Sequence, residues 1–174
     1  MTTPTDVLRE EHRVILRALE LLETAAERLA AGGTLPEGWW GELLDWLMAF
    51  ADRNHHAKEE RALFPALARA GVPAAGGPVG VMLEEHMAGR GYIQVMQTGA
   101  PAARIEAARR YIRLLRDHID KENGVLFPLA DAVLEPRVRE ALAREFAALE
   151  AERGRETSSA QAEARVDRLA AALG

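Results

Sequence analysis

An all-α chain, folded as an antiparallel up-and-down four-helix bundle with further helices after it, is what this sequence predicts, on three observations. Its bulk is Ala, Leu, Arg and Glu, strong helix formers, with few runs of β-branched or aromatic residues. Glycine and proline gather at three breaks: Ala31-Gly32-Gly33-Thr34-Leu35-Pro36, Ala70-Gly71-Val72-Pro73 through Gly76-Gly77-Pro78, and Thr98-Gly99-Ala100-Pro101. Between the breaks, apolar residues recur every three or four positions, the period of a helix buried on one face.

The breaks leave four long helices at about 5–30, 37–70, 78–97 and 101–132, joined by connections short enough to make neighbours antiparallel. The first carries the stripe Leu8, His12, Ile15, Leu19, and the second Leu44, Leu47, Met48, Ala51, His55, Glu59, Ala62. Val79, Met82, His86 and Ile93 mark the third; Tyr111, Leu115, His118, Glu122 and Val125 mark the fourth. Beyond Pro136 an amphipathic helix (Val138, Leu142, Phe146, Leu149) and a last stretch ending in Leu169, Ala172 and Leu173 are expected to pack outside the bundle. The expected organisation is a bundle over 1–134 and a C-terminal helical extension over 135–174.

Composition removes several functional classes. The chain has 174 residues, enough for one real core, and its 22 basic against 27 acidic residues, net −5, include no basic stretch that would follow a nucleic acid. Cysteine is absent, which excludes disulfides, thiolate metal sites and cysteine nucleophiles and leaves imidazole and carboxylate as the strong metal ligands. No basic start with an apolar run opens the sequence, and no segment approaches the roughly 18 apolar residues of a membrane span. The expectation is a cytoplasmic protein without nucleic-acid or membrane partners.

The candidate chemistry lies in the stretch HHAKEERALFP, from His55 to Pro65, where His55/Glu59 and His56/Glu60 are both i, i+4 pairs. Adjacent residues on a helix point roughly 100° apart, so one pair faces inward. His55 and Glu59 lie on the apolar stripe, whereas the face of His56 runs through Asp45, Ala49, Asp52 and Glu60 and reads as a solvated surface. An internal repeat supports that choice. Aligning Leu63-Phe64-Pro65 with Leu126-Phe127-Pro128 superposes His55 on His118, Lys58 on Lys121 and Glu59 on Glu122, while His56 falls on Ile119 and Glu60 on Asn123. Leu8-Arg9-Glu10-Glu11-His12 is likewise echoed by Met82-Leu83-Glu84-Glu85-His86. The chain thus contains two helical hairpins, each with a histidine on its first helix and His-x3-Glu on its second.

Two glutamates turned into a core cost several kcal/mol unless they are neutralised and ligated. A pair of cations resolves this. With Glu59 and Glu122 as bridges, His12 with His55 would complete one ion and His86 with His118 the other. Such a nitrogen-rich, oxygen-bridged set suits iron better than calcium or magnesium, which take all-oxygen shells; zinc prefers four tetrahedral ligands, and manganese fits on ligand type.

The order His12, His55-x3-Glu59 with Leu63-Phe64-Pro65, His86, then His118-x3-Glu122 with Leu126-Phe127-Pro128 resembles the hemerythrin-like, or HHE cation-binding, family over about residues 5 to 132. The resemblance implies a non-haem di-iron centre, two Fe ions bridged by the two carboxylates and an oxo or hydroxo oxygen, that binds dioxygen or another small ligand. Oxygen-carrying hemerythrins have His-x3-His on the third helix, and here the position four after His86 is Arg90. A fifth nitrogen is therefore expected to be missing and both irons to keep an exchangeable position, which favours redox turnover or sensing over carriage. His56, Glu11 and Glu85 remain candidates to stand behind or replace a ligand. Arg90 would point at an anion or carboxylate or reach to water, and Tyr111 would donate to a small ligand or simply pack. Leu-Phe-Pro would shape the bundle end beyond the metals.

Three functions fit this resemblance: binding or sensing dioxygen or a related oxidant or gas; an oxidoreductase acting on peroxide or nitric oxide, which needs an electron donor; and iron handling. A sensor would need a signalling partner or the final helices for its output, because no signalling domain is recognised beside the bundle.

Overall fold

The computed structural model describes residues 2–153 and 158–174. Helix α1 spans Pro4–Ala30, α2 runs from 39 to 69, α3 spans Pro78–Thr98, α4 runs from 101 to 133, α5 spans Pro136–Arg153 and α6 Ser159–Leu173. There is no strand among the described residues. The chain is all-α, as its composition and periodicity predict.

Each helix starts where its sequence supplies a start. Thr3 caps α1 reciprocally with Asp6, and prolines, which lack an N–H that a first turn could not use anyway, begin α1, α3, α4 and α5. Gly38, at φ 75°, makes the left-handed turn into α2, a conformation glycine adopts without steric cost.

Two apolar cores lie along the bundle, with the polar cluster between them. One gathers Ile15, Leu19, Leu22, Leu43, Phe50, Ile112 and Leu115; the other gathers Leu8, Leu63, Leu67, Met82, Leu126 and Phe127. Both also contain residues from beyond Pro136. Ala162, Val166, Leu169 and Leu173 of α6 join the first core, and Leu142, Phe146 and Leu149 of α5 join the second. The tryptophans, expected as packing at the start of α2, also bind backbone: Trp39 Nε1 donates to Leu169 O at 2.8 Å and Trp46 Nε1 to Ala162 O at 3.0 Å, which ties α6 to α2. Trp40 Nε1 donates to Met96 O of α3.

Regular α-winding gives way to π-helix at Leu47–His56, Glu59–Leu63 and Glu122–Leu126. The last two are copies of one device. Phe64 N–H bonds back five residues to Glu59 O, and Phe127 N–H to Glu122 O, just before Pro65 and Pro128. A proline inside a helix loses a hydrogen bond and crowds the carbonyl four residues back; a widened turn relieves both defects and lets the helix continue. The Leu-Phe-Pro segments thus bulge their helices without ending them.

Candidate metal centre

Helices α1 to α4 bring His12, His55, Glu59, His86, His118 and Glu122 together in the space between the two cores, and none is more than 1 % exposed. Glu59 lies between two histidines, with Oε1 3.4 Å from His55 Nε2 and Oε2 3.4 Å from His86 Nε2. Glu122 Oε2 does the same across the other diagonal, 3.1 Å from His12 Nε2 and 3.3 Å from His118 Nε2. His86 Nε2 and His118 Nε2 are 3.2 Å apart.

The opposite nitrogen of each ring is held by an oxygen. His12 Nδ1 meets Asn123 Oδ1 at 2.9 Å, His55 Nδ1 meets Glu11 Oε2 at 2.9 Å, His86 Nδ1 meets Glu60 Oε1 at 2.7 Å and His118 Nδ1 meets Glu85 Oε2 at 2.9 Å. A neutral imidazole that donates from Nδ1 presents its lone pair at Nε2, so these acceptors turn four lone pairs toward the two glutamates. Glu11 and Glu85 therefore lie behind the rings of His55 and His118, on the side away from Glu59 and Glu122.

His56 departs from the sequence expectation of a solvated face. It is only 5 % exposed, and its ring stacks on His86 with centroids 3.8 Å apart. The π-winding of Leu47–His56 is the reason. Stepping back four residues from His56 leads to half-buried Asp52, but stepping back five, the period of a π-turn, leads to fully buried Ala51, and His55 likewise falls on Phe50. Both adjacent histidines thereby face inward, and all five histidines of the chain sit in one cluster.

Two quartets of donors result. One atom each from His12, His55, Glu59 and Glu122 lie within 4.8 Å of one another, and so do one atom each from His56, Glu59, His86 and His118. His12 lies in one quartet with His55, and His86 in the other with His118. His56 of α2 brings a fifth imidazole into the cluster, where α3 carries Arg90 in place of a second histidine.

Arg90 reaches carboxylates. Its Nη2 lies 2.7 Å from both Asp52 Oδ1 and Glu60 Oε1, so it touches the cluster through Glu60, the acceptor of His86, and through Asp52, whose Oδ1 lies 3.5 Å from His56 Nδ1. Tyr111 is buried, and burial pushes its phenol above the ordinary range, with Asp52 adding to the effect; it stays a neutral donor.

The donor set fits cations. His12 Nε2, His55 Nε2 and both oxygens of Glu59 and of Glu122 are buried without a hydrogen-bond partner, the arrangement that costs most in an apolar interior and that metal ligation satisfies. Electrostatics agree. Burial opposes charge on His118, but Glu122, Glu85 and Glu59 outweigh it and push the imidazole up to about 10. Against its own burial, Glu122 is held well below the carboxylate range by His118 and His12. For His56, burial and the neighbouring His86 act together and keep the ring neutral.

A helical bundle whose core holds two linked carboxylate–imidazole quartets is a cation-binding domain. The pattern of the hemerythrin HHE cation-binding domain matches residues 3–130, and the chain belongs to that family. Uncharacterized proteins of Mycobacterium bovis and Mycobacterium tuberculosis are similar to it, each 30 % identical over 138 residues that cover 74 % of this chain and 53 % of theirs. The chain thus spans about half the length of the curated relatives it matches. No solved structure matches it. Among the described residues no helix is long and apolar enough to cross a membrane.

Proposed function

We propose that this chain holds two iron ions between α1, α2, α3 and α4 and binds dioxygen or a related small oxidant or gas there. The observation that carries the reading is the convergence of four imidazole Nε2 atoms on two fully buried carboxylates, each ring locked from behind by an oxygen acceptor. Glu59, shared by both quartets, and Glu122, which also approaches His118, would serve both ions, with His12 and His55 holding one and His56, His86 and His118 the other. Two irons so held would supply a redox-active position for a small ligand. The side of His12 and His55, with one imidazole fewer, would take that ligand. We place this centre in the bundle over 1–134, with 135–174 as its helical extension and a cytoplasmic setting.

Complete burial of the ligands also bears on the alternatives, because an ion enclosed this way exchanges slowly and suits retention better than iron delivery. Turnover of peroxide or nitric oxide uses the same ligands and requires an electron donor. Metal analysis of the purified chain should give two irons per chain, and Glu59→Ala or Glu122→Ala should abolish that stoichiometry. Mixing the reduced protein with oxygen in a stopped-flow spectrometer should give an absorption change that removal of oxygen reverses. Irreversible oxidation, or iron lost to a mild chelator within minutes, would move the assignment to the enzyme or to iron handling respectively.

A further inference from the structure

A cavity of about 250 Å³ opens between α2, α3 and α4, and two members of the imidazole cluster, His56 and His86, line it. Its other buried lining is apolar, from Leu47, Ile93 and Leu115, with half-buried Met48 beside them. That volume is several times the roughly 30 Å³ share of one water, far more than a diatomic gas fills, whereas an apolar cavity of about 150 Å³ already accepts a benzene ring. Charge is confined to the more exposed rim, from Asp52, Arg53, Glu85 and Arg90, where the Arg90 guanidinium is already engaged by Asp52 and Glu60 and Arg53 is exposed to water. A charged ligand would enter this lining without a free buried partner; a neutral one would not meet that cost. Few uncharged polar groups are available inside. Tyr111 lines the cavity, is 3 % exposed and offers its phenol hydroxyl, and the buried His56 Nδ1 has no hydrogen-bond partner. Buried phenols are normally paired.

We propose that this cavity is a binding site for a neutral organic molecule, about one substituted aromatic ring in size, that presents a single hydrogen-bonding group to Tyr111 and lies against His56 and His86. The site goes beyond the di-iron reading, since the chain alone builds it, and it gives the protein a second ligand next to the small one. Occupancy would be sensed at the metal ligands directly through the imidazole rings.

Phenol and toluene are suitable probes, with benzoate as the charged comparison, titrated by calorimetry and by NMR into both the metal-free and the iron-loaded chain. Phenol should bind saturably, one per chain, in both forms, more tightly than toluene or benzoate, and should perturb the absorption of the loaded form. A Cβ at Gly89 would meet the Tyr111 ring at 3.5 Å, an ordinary contact, so Gly89→Met fills the cavity while raising helix propensity. It should weaken phenol at least about tenfold and leave two irons per chain. Ile93→Phe fills the same space from another position and provides a second test if Gly89→Met folds poorly. Tyr111→Phe should remove the preference for phenol over toluene, which a merely structural tyrosine would not do. Absence of saturable phenol binding, or equal binding by the filled variants, overturns the proposal. Phenol binding to a chain that does not take up two irons overturns the di-iron reading and leaves this one standing.

Discussion

The two hairpins carry the same motif, and the structure treats them differently. In the first, Glu11 accepts from His55 Nδ1 and from Lys58, and Lys58 also pairs with Glu150 of α5, so that both Lys58 and Glu11 are 0 % exposed. In the second, Glu85 accepts from His118 Nδ1 and from Lys121, whose side chain is 42 % exposed and pairs with no further carboxylate among the described residues. The first copy is a sealed ion network covered by a helix from outside the family match, and the second is half open to water. The shared motif therefore fixes which groups pair, while the neighbouring helix decides how much the pair is worth.

Because it engages both halves at once, the largest expected contrast is in the pH dependence of the metal-free chain. Against their burial, Glu11 is lowered by His55 and Lys58 and Glu122 by its histidines, both from an ordinary value of 4.5; their contribution is present above that pH and is lost as pH falls through the depressed values. His118, held at about 10 against an ordinary 6.5, contributes fully below 6.5 and loses that contribution as pH rises toward 10. Urea unfolding across pH should therefore show greatest stability between 4.5 and 6.5, with Glu11→Gln flattening the acid arm.

Next in size is the contrast between the lysines. Lys58→Met leaves the buried Glu11 charge short of a partner and should cost about 3–5 kcal/mol, while Lys121→Met at the half-exposed pair should cost less than about 1 kcal/mol. Equal costs by urea denaturation would mean that burial by α5 does not distinguish the halves.

His56→Ile makes the first hairpin resemble the second, which has Ile119 there. It should weaken one of the two metals by about 100-fold, given that even groups behind ligands cost 10–100-fold. Two tightly held irons in this variant would show that His56 only packs on His86. A small effect is also expected at Glu150→Gln, whose side chain is 36 % exposed: about 0.5 kcal/mol of stability, an amount that should vanish in a Lys58→Met background.

The sequence by itself determined the class, the helix positions and most of the cluster. Glycine and proline breaks placed α1 to α4 within a few residues, and the repeat placed His55 on His118 and Glu59 on Glu122, which a structural role for one copy alone would not produce. It could not place His56. A face drawn with 3.6 residues per turn sends that ring to solvent, and the π-winding that turns it inward is a property of the packed helix with no residue that announces it. Pro65 and Pro128 gave a partial signal, since each marks a turn that has to widen, but neither lies near Leu47–His56. The partners of Lys58 and Arg90 were equally illegible: Glu150 is 92 residues from Lys58, and Asp52 is 38 residues from Arg90. Helical periodicity says which residues share a face, because that is a local consequence of backbone geometry. Which face meets which across the bundle depends on contacts between distant segments, and only the tertiary structure decided that.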